Sequence, residues 1–176
     1  ERRKAKAVNF GVVYGISDYG LSQNIKISRR EAKEYIEKYF DLYPSVKKYM
    51  DSNIERAKQQ GFIDTIFSRR RNLPEITASN FQVRTFNERV AMNMPLQGSA
   101  SDIIKLAMID VQSKLESLKL KSKLILQIHD ELIIDACFQE EEIARKILKE
   151  SMENVVRLKV DLPVEICSGK NWFECK

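Results

Sequence analysis

Apolar residues recur at helical spacing through roughly the first 75 residues. The spacing predicts helices at residues 2 to about 14 and about 46 to 60. The second should end at Gly61, because glycine favours the left-handed conformation of a helix C-cap. Between them, Ser28 and Glu31 have the spacing of a capping box, so Ser28 is expected to begin a further helix. The first part of the chain is therefore predicted to be helical.

The rest of the chain mixes helical spacing with alternation. Pro95 is expected to separate two helices, since proline removes a backbone donor from a helix. Ser68 to Asn72 is predicted to be a basic loop, and Pro163 marks the last strand as an edge strand. The predicted elements are helices at about 80–92, 98–118 and 140–156, a β-hairpin at 123–136 and a strand at 160–166. This order predicts an α+β fold with an antiparallel sheet.

The tip of the predicted hairpin is unusually polar. Two apolar half-strands flank His129, Asp130 and Glu131. A hairpin tip more often carries glycine or asparagine, which supply a positive φ. Adjacent carboxylates on a rigid tip could instead hold a hard divalent cation. On this stretch alone, a solvated acidic turn explains the residues as well.

The first predicted helix carries a row of side chains spaced by four. Arg2 and Lys6 come first, and Phe10 and Tyr14 follow. Two cations followed by two aromatic rings match a nucleotide laid along the helix, with phosphates at one end and the base or sugar at the other. An ordinary amphipathic helix with its aromatic rings in the core would have the same spacing.

Size, composition and cysteine usage exclude several classes of protein. The chain has 176 residues, of which 43% are hydrophobic and 31% are charged, as in a soluble globular protein. No apolar run approaches the roughly 20 residues of a membrane span, and no apolar leader opens the chain. The three cysteines form no C-x-x-C pair, which favours reduced thiols over a disulfide framework or zinc site. A cytoplasmic protein without membrane segments is expected.

The positive charge is concentrated in the first part of the chain. Residues 1–71 hold 16 Lys and Arg against 9 Asp and Glu, whereas the whole chain has a net charge of +5. A basic surface of this kind can bind a polyanion, although basic helices also serve solubility alone. The asymmetry is consistent with a nucleic-acid partner and does not prove one.

Three segments, in this order, resemble the family A DNA polymerases of the bacterial DNA polymerase I type. Residues 2–15 are similar to the fingers helix of that family, in which Arg, Lys and Phe follow at intervals of four before Tyr-Gly. Residues 89–102 are similar to a second family segment, and residues 127–131 resemble the palm hairpin. With G-K-N-W at 169–172, the resemblance covers essentially the whole chain. Ser68 departs from it, because glycine is expected there.

The resemblance implies a role for each residue of the first row. Arg2 and Lys6 would bind the incoming deoxynucleoside triphosphate. Phe10 would pack against the deoxyribose, and Tyr14 would lie near the site where the new base pair forms. These roles are implied by similarity to the family, residue by residue.

The resemblance also implies a metal site and a nucleic-acid contact. Asp130 would be a ligand of Mg²⁺, for which Mn²⁺ could substitute, and Glu131 would support it as a second catalytic acid. His129 would lie near the primer terminus. The residues that would line the primer-template DNA are Arg89, Asn93 and Gln97.

By resemblance, the chain is a fragment of a right-hand polymerase fold that acts in bacterial DNA replication and repair. Residues 1–75 would be the fingers subdomain, and residues 76–176 the C-terminal part of the palm. The family carries a second metal-binding aspartate upstream of the fingers helix, and no D-Y-S-Q-I-E-like run occurs in residues 1–176. Two Mg²⁺ ions need at least two well-placed carboxylates. The chain alone is therefore expected to be inactive, and the remainder of the polymerase is an expected partner.

Two other functions remain open at this point. The basic first part could belong to a nucleic-acid-binding module without catalysis, and such a module need not bind a divalent metal through Asp130. A relative of the single-subunit RNA polymerases is the other alternative. Phe10 and the His129–Glu131 tip favour the DNA enzyme by resemblance.

Overall fold

In the described part of the chain, residues 2–175, a computed structural model has six α-helices and four short strands. The helices are α1 (Arg2–Val13), α2 (Asp18–Ile25), α3 (Arg29–Leu42), α4 (Pro44–Gln60), α5 (Phe81–Ser117) and α6 (Glu141–Asn154). The strands are β1 (Phe62–Asp64), β2 (Arg70–Asn72), β3 (Lys123–Ile128) and β4 (Glu131–Asp135). They form two antiparallel pairs, β1–β2 and β3–β4. The mixed α+β fold is confirmed.

The chain divides into two compact units, one ending at Ser99 and the other beginning at Ala100. The first unit contains α1 to α4, the β1–β2 hairpin and the first half of α5. The second contains the rest of α5, the β3–β4 hairpin and α6. Within residues 2–175, no helix is both long and apolar enough to cross a membrane.

Residues close together in sequence determine where α3 begins and where α4 begins and ends, as the sequence predicts. The hydroxyl of Ser28 accepts a hydrogen bond from the Glu31 N–H, and the Glu31 carboxylate accepts one from the Ser28 N–H at 2.9 Å. The Ser28 hydroxyl also donates to the Glu31 carboxylate at 2.7 Å, and this bond, together with the one from the Ser28 N–H, lowers the pKa of Glu31. Pro44 occupies the first position of α4, where its missing N–H costs nothing, and Gly61 ends that helix at φ 74°.

The predicted basic loop is partly a strand. Residues Arg70–Asn72 pair with Phe62–Asp64, so the expectation of an irregular loop from 68 to 72 was wrong for its second half. Ser68 lies in the intervening turn with φ 62°, the left-handed conformation that glycine adopts most easily. This conformation explains why a glycine is the expected residue at that position.

The core of the first unit consists of two clusters of buried residues. One cluster joins α4, the β1–β2 hairpin and α5, and the other joins α1, α2 and α3. Ala7 and Val8 of α1 pack against the second cluster, and Val12 is only 2% exposed. One face of α1 is therefore held inward, and its opposite face is left at the surface.

The two helices predicted on either side of Pro95 form one continuous helix, α5. The expectation of a break at Pro95 was therefore wrong. An interior proline costs about 3 kcal/mol because it removes one backbone hydrogen bond and crowds the preceding turn. Buried residues on both sides, including Ala91 and Val111, hold the helix together. The hydroxyl of Ser99 donates a hydrogen bond to the Pro95 carbonyl, which gains a partner within the helix.

The second unit is built around the predicted hairpin. Its core contains residues from α5, β4 and α6, among them Val111, Leu132 and Ile147. The strands pair from Lys123 with Asp135 to Ile128 with Glu131. The hairpin and the helix after it are therefore confirmed, with α6 preceded by one turn of 3-10 helix.

The predicted last strand at 160–166 is not formed. Within residues 2–175, this segment belongs to neither sheet. Pro163 lacks a backbone donor, and the Val164 N–H donates to the Glu153 carboxylate of α6 at 3.0 Å instead of to a strand. The alternating apolar residues thus lie in a segment without a strand partner.

Glu140 closes the open end of the β3–β4 hairpin. Its carboxylate accepts hydrogen bonds from the Ser122 hydroxyl at 2.6 Å and from the backbone N–H groups of Ser122 and Lys121 at 2.8 and 3.0 Å. These bonds, the Ser122 hydroxyl foremost, lower the pKa of Glu140. The segment before β3 is therefore held by an ionised carboxylate.

We expect Glu140→Gln to destabilise the chain in a pH-dependent way. A carboxyl whose pKa is lowered by folding stabilises fully above its unfolded pKa, about 4.3 for Glu, and loses that contribution as the pH falls through the lower folded pKa. The melting temperature of the variant should lie below that of the parent at pH 7, and the gap should narrow towards pH 3. Circular dichroism melts across this range measure it, with the exposed Glu142→Gln as the control. A gap that is constant with pH would contradict the role of the charge.

Candidate functional site

The cation and aromatic row of α1 lies at the surface. Arg2 and Lys6 are exposed, and the Phe10 and Tyr14 side chains are 54% and 44% exposed. The Lys6 Nζ lies 5.6 Å from the centroid of the Phe10 ring, and the Phe10 and Tyr14 rings are stacked with centroids 6.5 Å apart. The alternative of an amphipathic helix with these aromatic rings in the core is therefore wrong. Val12, on the other face, is the buried residue.

An exposed aromatic pair beside a cation is suited to a ligand that carries both a ring and a negative charge. The Phe10 and Tyr14 rings can pack against a flat ring or a sugar, and Lys6 and Arg2 can bind an anion at the other end of the row. Arg3 and Lys4 add two further exposed cations on the same two helical turns. The chemistry of the row thus changes from anion binding to ring binding along α1.

The chain turns sharply after α1 and packs against α5. Gly15 has φ 70°, and a Cβ atom placed on it would lie 2.6 Å from the Met92 Cε and 3.2 Å from the Arg89 Cγ. The side-chain amide of Asn93 donates a hydrogen bond to the Tyr14 carbonyl at 3.3 Å. The backbone conformation favours glycine at this position, and any larger residue would also have to displace the end of the Met92 side chain.

A cleft of about 490 Å³ opens where α1 meets α5. Clefts of this size hold small molecules or parts of larger ones. Four residues that the sequence proposed for nucleotide or DNA binding line it together: Tyr14, Arg89, Asn93 and Gln97. The remaining lining residues are Arg71, Phe86, Val90, Met94 and Gly98.

Two lining residues of the cleft, Arg71 and Phe86, were not predicted as members of the site. Arg71 belongs to β2, within the stretch that the sequence predicts to be a basic loop. Phe86 lies one helical turn before Arg89 and is exposed. Its spacing of three and four from Arg89 and Val90 already places it on the same face of the helix predicted at about 80–92, and this is the signal that could have found it. Arg71 has no comparable local signal.

Asn93 carries an unusual buried atom. Its Oδ1 is buried and has no hydrogen-bond partner in the described part of the chain, whereas its amide nitrogen bonds to Tyr14. A buried polar atom without a partner costs about 1–3 kcal/mol. Asparagine is therefore not the residue that stability alone would select at this position.

The tip of the second hairpin is a two-residue turn. Ile128 pairs with Glu131, so His129 and Asp130 form the turn and Glu131 begins β4. His129 has φ 52°, and the Gln127 amide donates to the His129 carbonyl at 2.6 Å. The side chains of His129, Asp130 and Glu131 are all exposed. Two adjacent carboxylates therefore stand at solvent on a short, hydrogen-bonded turn.

These carboxylates match part of the requirement of a magnesium site. Carboxylate oxygens are the ligands that Mg²⁺ prefers, and the ion demands near-octahedral coordination. Within residues 2–175, no group of three or more His, Cys, Asp or Glu side chains is placed to hold a metal ion. Asp130 and Glu131 have suitable donor chemistry, but further ligands are needed to complete such a site.

Comparison with known proteins identifies the family. The family model described as DNA polymerase family A matches residues 1–174. This chain belongs to the family A DNA polymerases. The resemblance given by the three sequence segments is thereby confirmed for essentially the whole chain.

Relatives of this chain include bacterial DNA polymerases. The chain is 55% identical over 175 residues to DNA polymerase I of Caldicellulosiruptor bescii, covering 99% of this chain and 21% of the relative. It is 53% identical to DNA polymerase I of Bacillus subtilis, covering 99% of this chain and 20% of that protein. The chain thus spans about a fifth of the length of the curated relatives it matches.

A solved structure has the same fold. It is described as the POL domain of Pol1 from M. smegmatis in complex with DNA primer-template and dNTP. The TM-score is 0.95 and the sequence identity is 42%, over 99% of this chain and 31% of that one. The architecture described above is therefore that of part of a polymerase domain.

Replacing Gly15 by alanine should destabilise the chain more than the same change at Gly61. Both residues have a positive φ, which costs an alanine roughly 1–2 kcal/mol. No atom lies within 4 Å of a Cβ at Gly61, whereas Met92 and Arg89 crowd one at Gly15. We expect about 1 kcal/mol of additional loss for Gly15→Ala, because the Met92 methyl group would have to shift.

The free energies of unfolding of the two variants, from urea titrations, measure this difference. Gly61→Ala is the matched control, because it contains the backbone cost without the steric contact. Equal stabilities for the two variants would contradict the close packing of the turn against α5.

Proposed function

We propose that this chain is part of a DNA-directed DNA polymerase, which transfers deoxynucleotides to a primer 3′-hydroxyl by a two-metal mechanism. Family membership supports the proposal, as does the similarity to the M. smegmatis polymerase domain, which was solved with DNA primer-template and dNTP. The observation that carries it is the exposed row on α1, which ends at a cleft lined by the polar residues of α5. Residues 1–75 are assigned to the fingers and residues 76–176 to the palm.

In this proposal, α1 binds the incoming deoxynucleoside triphosphate. Arg2 and Lys6 contact the phosphates through charge-assisted hydrogen bonds, which are about twice as strong as neutral ones. Phe10 packs against the deoxyribose, and Tyr14 lies at the position where the new base pair forms. The stacked contact between Phe10 and Tyr14 supports this order, because it offers the sugar and the base adjacent surfaces.

The cleft beside Tyr14 is the proposed contact with the primer-template. Arg89 can bind a backbone phosphate, and the amides of Asn93 and Gln97 can bond to sugars or base edges. The buried, unpartnered Oδ1 of Asn93 supports a role other than stability. Arg71 lines the same cleft and adds a second cation for the phosphate backbone.

The hairpin tip is the proposed contribution of this chain to the metal site. Asp130 supplies one carboxylate to Mg²⁺, with Mn²⁺ as a substitute, and Glu131 supports it. Two such ions activate the primer hydroxyl and neutralise the leaving pyrophosphate. His129 lies beside the primer terminus. The other carboxylate ligands come from the remainder of the polymerase, which acts with this chain in the bacterial cytoplasm.

Asp130→Ala should abolish primer extension without abolishing DNA binding. The test places the 176 residues in the B. subtilis relative in exchange for the matching segment, which is 53% identical. The exchange enzyme should extend a primer with Mg²⁺ and four deoxynucleotides. Its Asp130→Ala variant should lose at least about a thousandfold in rate, because a metal ion contributes several kcal/mol to the transition state.

Asp135→Ala is the matched control for this variant, since Asp135 is an exposed acid at the far end of β4, the strand that follows Asp130. It should keep the activity of the exchange enzyme. The isolated 176-residue chain, which offers no group of three metal-binding side chains within residues 2–175, should not extend the primer. Extension by the isolated chain, or activity of the Asp130→Ala enzyme, would overturn the assignment of the metal site.

Lys6→Ala should weaken the use of nucleotides by the exchange enzyme. Loss of one charge-assisted hydrogen bond costs about 1.5–3 kcal/mol, so we expect KM for the deoxynucleotide to rise by about one to two orders of magnitude. Steady-state kinetics with a fixed primer-template measure it. Lys38→Ala removes the same charge from the exposed surface of α3 and is the control. An unchanged KM in Lys6→Ala would remove Lys6 from the phosphate site.

A further inference from the structure

The chain folds back on itself near its C-terminal end and brings two thiols together. Residues Trp172–Cys175 form a turn of 3-10 helix. The Cys167 Sγ lies 3.9 Å from the carbonyl oxygen of Glu174, the neighbour of Cys175. The Cys167 and Cys175 side chains interact directly, and both cysteines are free.

A network of hydrogen bonds centred on Glu174 holds this loop closed. The Glu174 carboxylate accepts from the Lys170 N–H and from the Asn171 side-chain amide, each at 2.9 Å. The Glu174 N–H donates in return to the Asn171 Oδ1 at 3.2 Å. On the other side of the loop, the Arg145 guanidinium of α6 donates to the Ser168 hydroxyl at 2.6 Å. The chain on both sides of the thiol pair is therefore anchored.

We propose that Cys167 and Cys175 are a redox-active thiol pair that is oxidised to a reversible disulfide by a low-molecular-weight disulfide such as oxidised glutathione. The folded loop favours this bond because the cost of joining two groups falls as the chain between them shortens and is held closed. The third thiol, Cys137, follows β4 and belongs to a different part of the second unit. It is outside the pair.

The exchange proceeds in two balanced steps. The Cys167 thiolate attacks one sulfur of oxidised glutathione, which forms a mixed disulfide and releases one glutathione thiolate. The Cys175 thiolate then attacks the Cys167 sulfur, which forms the intramolecular disulfide and releases the second glutathione thiolate. The two protons from the protein thiols leave with two molecules of reduced glutathione, so the protein loses two electrons and the reagent gains them.

Exposure sets the order of the two steps. Cys167 is exposed and meets the reagent first, whereas Cys175 is half-buried. Burial and the hydrogen bond with Cys167 raise the pKa of the Cys175 thiol, so little of it is ionised at neutral pH. Proximity offsets this disadvantage in the second step, and the rate of disulfide formation should rise with pH.

Equilibration of the 176-residue chain in glutathione buffers of increasing redox potential tests the proposal. Free thiols are then blocked, and the chain is cut with trypsin. Trypsin cleaves after Lys170, between the two cysteines, so the disulfide joins peptide 160–170 to peptide 171–176. We expect the disulfide that links these two peptides to form before any other disulfide. It should disappear when the chain is reduced again. Trp172, the single tryptophan, lies in the loop and reports the change by fluorescence.

Three variants and one solvent condition show whether the folded loop, or only the short stretch of chain between the two cysteines, favours the disulfide. Cys137→Ser should still form the bond, and Cys167→Ser should not. Glu174→Ala and the urea-unfolded parent should each need at least about tenfold more oxidising glutathione ratios, since neither holds the loop closed. Equal ratios for the folded and unfolded chain, or disulfides of Cys137 or between molecules forming first, would overturn the proposal.

Discussion

The packing of the turn after α1 against α5 is the contact on which the candidate site depends. Gly15 adopts a left-handed conformation, and a Cβ at this position would displace the end of the Met92 side chain. The amide of Asn93 holds the Tyr14 carbonyl in the same place. Because this contact fixes where α1 ends, it also fixes the direction in which the Phe10 and Tyr14 rings leave the helix. The exposed row and the cleft form one continuous surface for this reason.

The continuity of α5 past Pro95 is the second requirement. On an unbroken helix, Arg89, Asn93 and Gln97 recur every four residues and share one face along the cleft. A break before Pro95 would remove Gln97 from this face. The proline is retained because the two ends of the helix are each buried in a compact unit, and that burial outweighs its local cost.

The parts of the fold that the sequence predicted are those with a local cause. The capping box at Ser28, the left-handed end at Gly61 and the β3–β4 hairpin each depend on residues close together in the chain. The strand expected at 160–166 and the helix break expected at Pro95 were both wrong. At these positions, contacts with residues far away in sequence decide the structure. Arg71 joined the candidate site through strand pairing, which spacing along the chain cannot reveal.

The hairpin tip combines a stable scaffold with an unfavourable turn. Leu132, just after the turn in β4, is buried in the core, and the Gln127 amide donates a hydrogen bond to the turn. His129 nevertheless adopts φ 52°, where asparagine or glycine is preferred. A non-glycine residue held in this conformation costs of order 1–3 kcal/mol and persists only when the surrounding structure enforces it. The turn is therefore less stable than one with glycine or asparagine at this position, but it presents a histidine and a carboxylate at its apex. An exposed carboxylate at this place is what the proposed role of Asp130 in metal binding requires.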